Sequence, residues 1–173
     1  IVYAGAYGFS DNGPYAGRPA YDDLIQGMTG IPALYSQHTG LPPRYVPLTM
    51  ADRIVGLQAG IACLAGVLES RQSGQGQSIE VPMFETMAQF VLNDHLGGAT
   101  FEPAKGEMGY SRLLVEPRKP YQAADGYVCV IVHTDGHWQR FLGLVGRPDL
   151  LVPGSVFESV ESRARHVNQV YGF

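Results

Sequence analysis

The sequence predicts an α/β fold with a larger first part and a smaller second part. Two short apolar runs, Ile1–Gly5 and Ser78–Pro82, are typical of strands. Between them lies the longest run of apolar residues at helical spacing in the chain. A stretch without any period then separates this part from a second group of strand and helix patterns. We therefore expect one domain over residues 1–98, a linker over 99–118, and part of a second domain over 119–173.

A loop rich in glycine and tyrosine follows the first predicted strand, from Gly5 to Pro19. Loops at the ends of buried strands are where α/β folds bind ligands, because the backbone can approach closely and aromatic rings supply flat walls. A helix is predicted next, from about Tyr21 to Thr29. Asp22 and Asp23 suit the positive end of that helix, and we expect both to be solvated.

Gly30 and Pro32 are predicted to end this helix. The segment 33–49 that follows has no apolar period. We interpret it as an ordered connection that packs on the core.

The strongest predicted element is a helix over 52–71. Its glycines, Gly56 and Gly60, predict close contact with another backbone. Its most apolar part, 54–68, is shorter than the roughly 20 residues of a membrane span. We therefore expect a buried helix of the core, with apolar positions at Ile54, Val55, Leu57, Ile61, Leu64, Val67 and Leu68.

The sequence Gly74-Gln75-Gly76-Gln77 ends this helix. It follows a helix and precedes a strand, which is the reverse of the order that a phosphate-binding turn needs. We interpret Gly74 as a helix C-cap. A helix over 83–96 follows the second strand, and the small second part is predicted to hold a turn at 124–126, a strand over 127–133 and a helix over 138–145.

Composition excludes several classes of function. The net charge is −4 and no run of Lys or Arg is present, so nucleic acid is not an expected partner. The five histidines lack metal-ligand spacing apart from one four-residue gap, His133 to His137, which spans a predicted strand end and Gly136. Cys63 and Cys129 lie in apolar runs and are predicted to be buried thiols, which is typical of a cytoplasmic protein. Charged residues make up 16%, against about 25% in ordinary domains, which indicates that much of the surface is covered in the complete protein.

One carboxylate, Asp52, stands at the start of the most apolar helix. Its simplest interpretation is a helix N-cap, worth about 1 kcal/mol. The alternative is a nucleophilic carboxylate that the helix N-terminus orients. The two interpretations are compatible, and the sequence does not choose between them.

The order of the motifs closely resembles that of the class III coenzyme A transferases, the CaiB/BaiF family that includes formyl-CoA transferase. The resemblance covers nearly the whole chain, and several motifs in the same order make it specific. They are the loop 7–22, the pair Ala51-Asp52 before a Gly/Ala-rich helix, the segments 73–77 and 79–85, and the downstream segments 118–127 and 146–150.

The resemblance implies a Rossmann-like large domain, of which residues 1–98 form the second part, followed by a linker and the start of a small α+β domain. It implies that Asp52 attacks the thioester of a donor acyl-CoA, and that an anhydride and an aspartyl-CoA thioester carry CoA to an acceptor acid. Coenzyme A is then a substrate, with no tightly bound cofactor and no metal. The CoA-contacting positions would be Arg18, Pro19, Ala20, Tyr21 and Met83, although packing is the simpler interpretation of Met83.

Two alternatives stay open. Acyl-CoA racemases share this fold and have a His where this chain has Tyr21; a tyrosine with a pKa of about 10 is a poor base near neutral pH. The other alternative is a non-catalytic CoA-binding or assembly module in which Asp52 is only a cap. The resemblance also implies an interlocked homodimer for the full-length protein and no membrane partner. We expect the chain to begin inside a longer protein and to be inactive by itself.

Overall fold

The computed structural model describes all 173 residues, and they divide into two compact units. The first unit comprises Ile1–Gln37 and Leu41–Gly109, and the second comprises His38–Gly40 and Tyr110–Phe173. Helices and two small sheets make the mixed α/β fold that the sequence predicts. In chain order the longer elements up to residue 95 are β1 (Val2–Tyr7), α1 (Asp22–Met28), α2 (Ile31–Thr39), α3 (Met50–Ser73), β2 (Gln77–Pro82) and α4 (Met83–His95).

The first unit is built on a pair of parallel strands. Strand β1 pairs with β2 in a register that runs from Val2 opposite Gln77 to Tyr7 opposite Pro82. Helix α3 packs on both strands, and α1 and α4 pack against α3. Because parallel strands end at the same edge of a sheet, the loop after β1 and the start of α4 come together there. The buried core comprises Phe9, Ile25, Ile31, Ala51, Val55, Val81 and Met87.

The predicted helices and strands of this unit are confirmed, with one exception. Residues 31–39 form α2, where the sequence predicts an irregular connection. Pro32 lies in the first turn of α2, where the missing N–H of a proline costs no hydrogen bond. Pro32 therefore lies at the beginning of a new helix, as well as following the end of α1.

Helix α3 forms as predicted, but it is not a buried helix in this chain. Leu57, Ile61, Leu64 and Leu68 are each 60% exposed or more. The opposite face carries Ala51, Val55 and Gly66 into the core. The prediction of a buried helix was wrong because α3 is apolar on two faces and the sheet covers only one of them.

The close backbone approach predicted at Gly56 and Gly60 is also wrong, since a Cβ at either position would meet open space. The tight contact lies at Gly66, where an added Cβ would stand 2.6 Å from Ile79 Cδ1 and 2.8 Å from Val2 Cγ1. The αL cap predicted at Gly74 is confirmed, with a φ of 74° and its N–H donating to the carbonyl oxygen of Ser70.

The length of α3 corrects a further prediction. With 24 residues it is long and apolar enough to cross a membrane by length and composition alone, so the argument that its apolar run is too short does not hold. Core helices of soluble proteins meet the same criterion.

The second unit has a small antiparallel sheet and several short helices. Its elements are α5 (Ser111–Leu114), β3 (Tyr121–Ala123), β4 (Gly126–Val128), α6 (Asp135–Leu144), α7 (Val160–Arg165) and α8 (Val167–Gly172). Strand pairing ends at Val128, so the strand predicted to His133 is too long. The core of this unit comprises Trp138, Leu142 and Phe157.

Both cysteines are exposed, which contradicts the prediction of buried thiols. Cys63 lies on α3 next to the exposed Leu64. Cys129 follows the last residue of β4, where no further strand covers it. In both cases an apolar sequence environment did not correspond to burial.

Candidate active site

The loop after β1 is held at the edge of the sheet by two glutamates. The backbone N–H of Asp11 donates to Glu80 Oε1 at 2.7 Å, and that of Ser10 donates to Glu85 Oε1 at 3.2 Å. The N–H of Phe84 donates to the carbonyl oxygen of Gly8 at 3.1 Å. These contacts fix the glycine-rich loop to β2 and α4. Sequence reasoning did not single out the glutamates, because only the parallel pairing places them beside the loop.

The first strand also carries a pair of tyrosines. The hydroxyl groups of Tyr3 and Tyr7 lie 3.0 Å apart. The hydrogen bond with Tyr3, with smaller contributions from Asp11 and Glu80, raises the pKa of Tyr7. Tyr7 therefore stays a neutral phenol at this edge.

The segment predicted to contact coenzyme A is exposed at three of its four residues. Arg18 and Pro19 are exposed, and Tyr21 is 78% exposed at the N-cap position of α1. The guanidinium carbon of Arg18 lies 5.2 Å from the centre of the Tyr15 ring, a cation–π arrangement that holds the side chain near the loop.

Ala20 is the one residue of that segment that packs inward. It is partly buried and packs against the core of the first unit. A Cβ added to Gly8 would lie 2.5 Å from the Cβ of Ala20, so the end of β1 and this segment are in close contact. The absence of a side chain at Gly8 permits this approach.

Asp52 is not the N-cap of its helix. The helix begins at Met50 after Thr49, whose side chain makes no capping hydrogen bond, and Asp52 is the third helical residue. Its side chain is exposed. The backbone N–H of Asp52 donates to Asp22 Oδ1 at 3.1 Å, so a carboxylate from α1 occupies the role that the sequence assigned to Asp52 itself.

Asp22 is buried, which contradicts the prediction that it is solvated, whereas Asp23 is exposed as predicted. Asp22 Oδ2 accepts a 2.6 Å hydrogen bond from the Nε2 of Gln26, which is fully buried. Gln26 Nε2 also lies 3.3 Å from the carbonyl oxygen of Leu48, and Gln26 Oε1 accepts from the N–H of Val46 at 2.9 Å. We call Asp22 and Gln26 the α1 polar pair.

The α1 polar pair connects three parts of the candidate site. It binds the chain leading into α3 and the first turn of α3, and Asp22 directly follows Tyr21 in sequence. The structure thus brings Asp52 next to the Arg18–Tyr21 segment through Asp22. Buried polar side chains with all these partners are typical of a rigid site.

Met83 is the first residue of α4 and is partly buried against the core of the first unit. No group of three His, Cys, Asp or Glu side chains is placed to hold a metal ion.

The sequence profile of CoA-transferase family III matches residues 1–172. The chain belongs to this family. The resemblance seen in the motifs is thereby confirmed, and named relatives agree with it. The probable fatty acyl-CoA transferase Rv3272 of Mycobacterium tuberculosis is 27% identical, over 97% of this chain and 44% of that protein. The succinyl-CoA–L-malate CoA-transferase beta subunit of Chloroflexus aurantiacus is 28% identical, over 94% of this chain and 40% of that protein.

Solved structures of the family have the same fold. A CAIB/BAIF family protein from Brucella suis matches 99% of this chain with a TM-score of 0.68 and 26% identity, and the match covers 45% of that protein. The structure of Rv3272 matches 99% of this chain and 44% of its own with a TM-score of 0.73 and 23% identity. The chain therefore spans less than half the length of these relatives.

Proposed function

We propose that the protein carrying this chain transfers coenzyme A from an acyl-CoA thioester to a free carboxylic acid, with Asp52 as the nucleophile. The observation that carries the proposal is the division of roles between two aspartates. Buried Asp22 holds the backbone of the first turn of α3, and the carboxylate of Asp52 is left exposed in that turn. A nucleophile must be both positioned and accessible, and Asp52 meets both conditions.

The reaction begins when the Asp52 carboxylate attacks the thioester carbonyl of the donor. The carbon–sulfur bond breaks, CoA leaves as thiolate, and a mixed anhydride remains on Asp52. The thiolate then attacks the aspartyl carbonyl, which releases the donor as a carboxylate and leaves an aspartyl-CoA thioester.

The acceptor carboxylate next attacks the aspartyl-CoA thioester and again expels CoA thiolate. This second anhydride joins the acceptor to Asp52. The thiolate attacks the acceptor carbonyl, so that acceptor-CoA leaves and the Asp52 carboxylate is regenerated. No water, metal or redox group is consumed in this cycle.

The segment Arg18–Tyr21 is proposed to contact coenzyme A. The exposed guanidinium of Arg18 suits a phosphate oxygen, since Arg forms charge-assisted hydrogen bonds with phosphates. The ring of Tyr21 is exposed, and Tyr21 directly precedes Asp22, which binds the backbone of Asp52; both observations support the proposal that Tyr21 borders the bound thioester.

The test is to trap the aspartyl intermediate in a protein with the full length of its relatives. The protein is incubated with an acyl-CoA and then with hydroxylamine, which converts an aspartyl anhydride or thioester into a stable hydroxamate. Peptide mass spectrometry is expected to find the hydroxamate on Asp52 and not in the Asp52→Asn variant. Asp23→Asn removes an exposed carboxylate from the neighbouring helix and serves as the matched control.

Unchanged CoA exchange in Asp52→Ala would contradict the proposal. Racemisation gives a different result in the same protein: solvent deuterium enters the carbon next to the thioester without any acceptor acid, and no hydroxamate forms. A binding module gives neither signal.

A further inference from the structure

The second unit contains an apolar cavity of about 450 Å³. Every residue that lines it lies between Tyr110 and Phe173, so the cavity belongs to one unit. Its apolar walls include the stretch 130–132 and the rings of Trp138 and Phe141. Small-molecule sites typically have volumes of about 300–1,000 Å³ and mostly apolar walls, so size and lining both suit an organic ligand.

The charged side chains that line this cavity are arginines, and His133 also lines it. The arginines are Arg112 and Arg163, and an adjoining hollow of about 230 Å³ adds Arg118 and Lys119, of which Lys119 is ion-paired with Glu116. No Asp or Glu lines either space. The local charge is therefore complementary to an anion.

The two arginines of the cavity differ in their partners. Arg163 is buried, forms an ion pair with Asp135 and donates from Nη1 to the carbonyl oxygen of Phe157 at 2.9 Å. Its charge is thus neutralised inside the protein. Arg163 holds α7 to the rest of the unit and is not the anion site.

Arg112 has neutral partners. Its Nε donates to the hydroxyl group of Tyr171 at 2.9 Å, and Tyr110 also hydrogen bonds to it. None of the salt bridges of the structure includes Arg112, although the side chain is partly buried at the cavity wall. A partly buried guanidinium beside phenols, with no carboxylate partner, is a favourable site for an incoming carboxylate.

We propose that this cavity binds a monocarboxylate with an apolar body, with its carboxylate on Arg112 and its hydrocarbon part against the 130–132 stretch and Trp138. A neutral ligand would leave Arg112 without a counter-ion. Within the cavity itself, a polyanion would meet one guanidinium that is not ion-paired, and most of the other walls are apolar. The proposal concerns the second unit alone and does not rest on the reaction proposed for Asp52.

The fluorescence of Trp138 can report binding, because Trp138 is the only tryptophan of the chain and lines the cavity. The protein is titrated with octanoate, below the concentration at which it forms micelles, while tryptophan fluorescence is recorded. We expect a saturable change with octanoate, and binding of octanol that is weaker by roughly tenfold or more, since a charge-assisted hydrogen bond is lost.

Four variants locate the ligand. Arg112→Gln is expected to weaken octanoate binding to the level of octanol, and Arg112→Lys is expected to retain part of the difference. Arg140→Gln removes an exposed arginine of the same helix as Trp138 that does not line the cavity, and it should leave binding unchanged. Ala164→Phe places a ring in the cavity from α7 and should abolish binding of both ligands.

Two outcomes would overturn the proposal. One is equal affinity for octanoate and octanol in the unaltered protein, which would mean an apolar cavity without a carboxylate site. The other is no saturable fluorescence change with octanoate in protein whose circular dichroism shows it to be folded. Both results come from the unaltered protein, so they hold even if Arg112→Gln fails to fold.

Discussion

At the scale of single residues, Asp22 and Asp52 exchange the roles that their positions in the sequence suggest. Asp52 stands before an apolar helix as a cap would, yet its carboxylate is exposed and Asp22 accepts the N–H of its backbone. Asp22 stands in the first turn of a helix as a solvated charge would, yet it is buried against Gln26. The contact between residues 30 positions apart decides both roles.

We predict that Asp22→Ala lowers the free energy of unfolding by about 1–3 kcal/mol, because Gln26 Nε2 and the N–H of Asp52 lose a buried acceptor. Urea titration followed by circular dichroism measures the change. The matched variant Asp23→Ala, at an exposed position on the same helix, should stay within about 0.5 kcal/mol of the parent. Equal effects of the two substitutions would mean that the α1 polar pair does not stabilise the start of α3.

We predict that Asp52→Asn leaves the free energy of unfolding within about 0.5 kcal/mol of the parent, since the side chain is exposed and does not cap the helix. The same variant is expected to lose the hydroxamate on residue 52 completely. The same urea titration and the hydroxylamine experiment measure the two effects on one preparation. A loss of stability equal to that of Asp22→Ala would indicate a structural role for Asp52.

At the scale of elements, α3 shows how far periodicity predicts structure. The pattern correctly placed a long helix, and Gly74 correctly placed its end. The same pattern could not say which apolar face meets the sheet, because Val55 and Leu57 are equally apolar and only one of them is buried. Burial depends on what the strands and neighbouring helices cover, and that information is not local.

We predict opposite effects for two glycine substitutions in α3. Gly60→Ala should stabilise the chain by about 0.5–1 kcal/mol, because the position is open and alanine is the better helix former. Gly66→Ala should destabilise it by about 1–2 kcal/mol, because the new Cβ meets Ile79 and the stiff, β-branched Val2 of the sheet. Thermal or urea unfolding of the two variants gives the comparison, and stabilisation by both would contradict the packing of α3 on the strands at Gly66.

At the scale of the whole molecule, a chain with only 16% charged residues has an apolar face of α3 at its surface. Leu57, Ile61, Leu64 and Leu68 recur at helical spacing on one side, and all four are exposed. Exposed apolar patches of this kind mark contact surfaces. We therefore expect this face of α3 to be covered by another apolar surface.

We predict that the 173-residue chain self-associates in solution through this face. Sedimentation velocity should show species larger than a monomer, and the double variant Leu57→Glu with Leu64→Glu should shift them towards monomer. Gln58→Glu adds charge at an exposed polar position of the same helix and should leave association unchanged. A monodisperse monomer of the parent chain would contradict this prediction.

The sequence alone predicted the family, the α/β class and most of the helix and strand positions, because these depend on local patterns and on motifs that keep their order along the chain. It also singled out Asp52, whose role as nucleophile stays a proposal. Tertiary structure alone decided which side of α3 is covered, that Glu80 and Glu85 hold the loop, and that Asp22 rather than Asp52 caps the helix start. It also decided that Arg112 lies at an apolar cavity with phenols as partners. Each of these depends on contacts between residues distant in sequence that form only when the chain folds. Local periodicity and short motifs do not specify such long-range contacts.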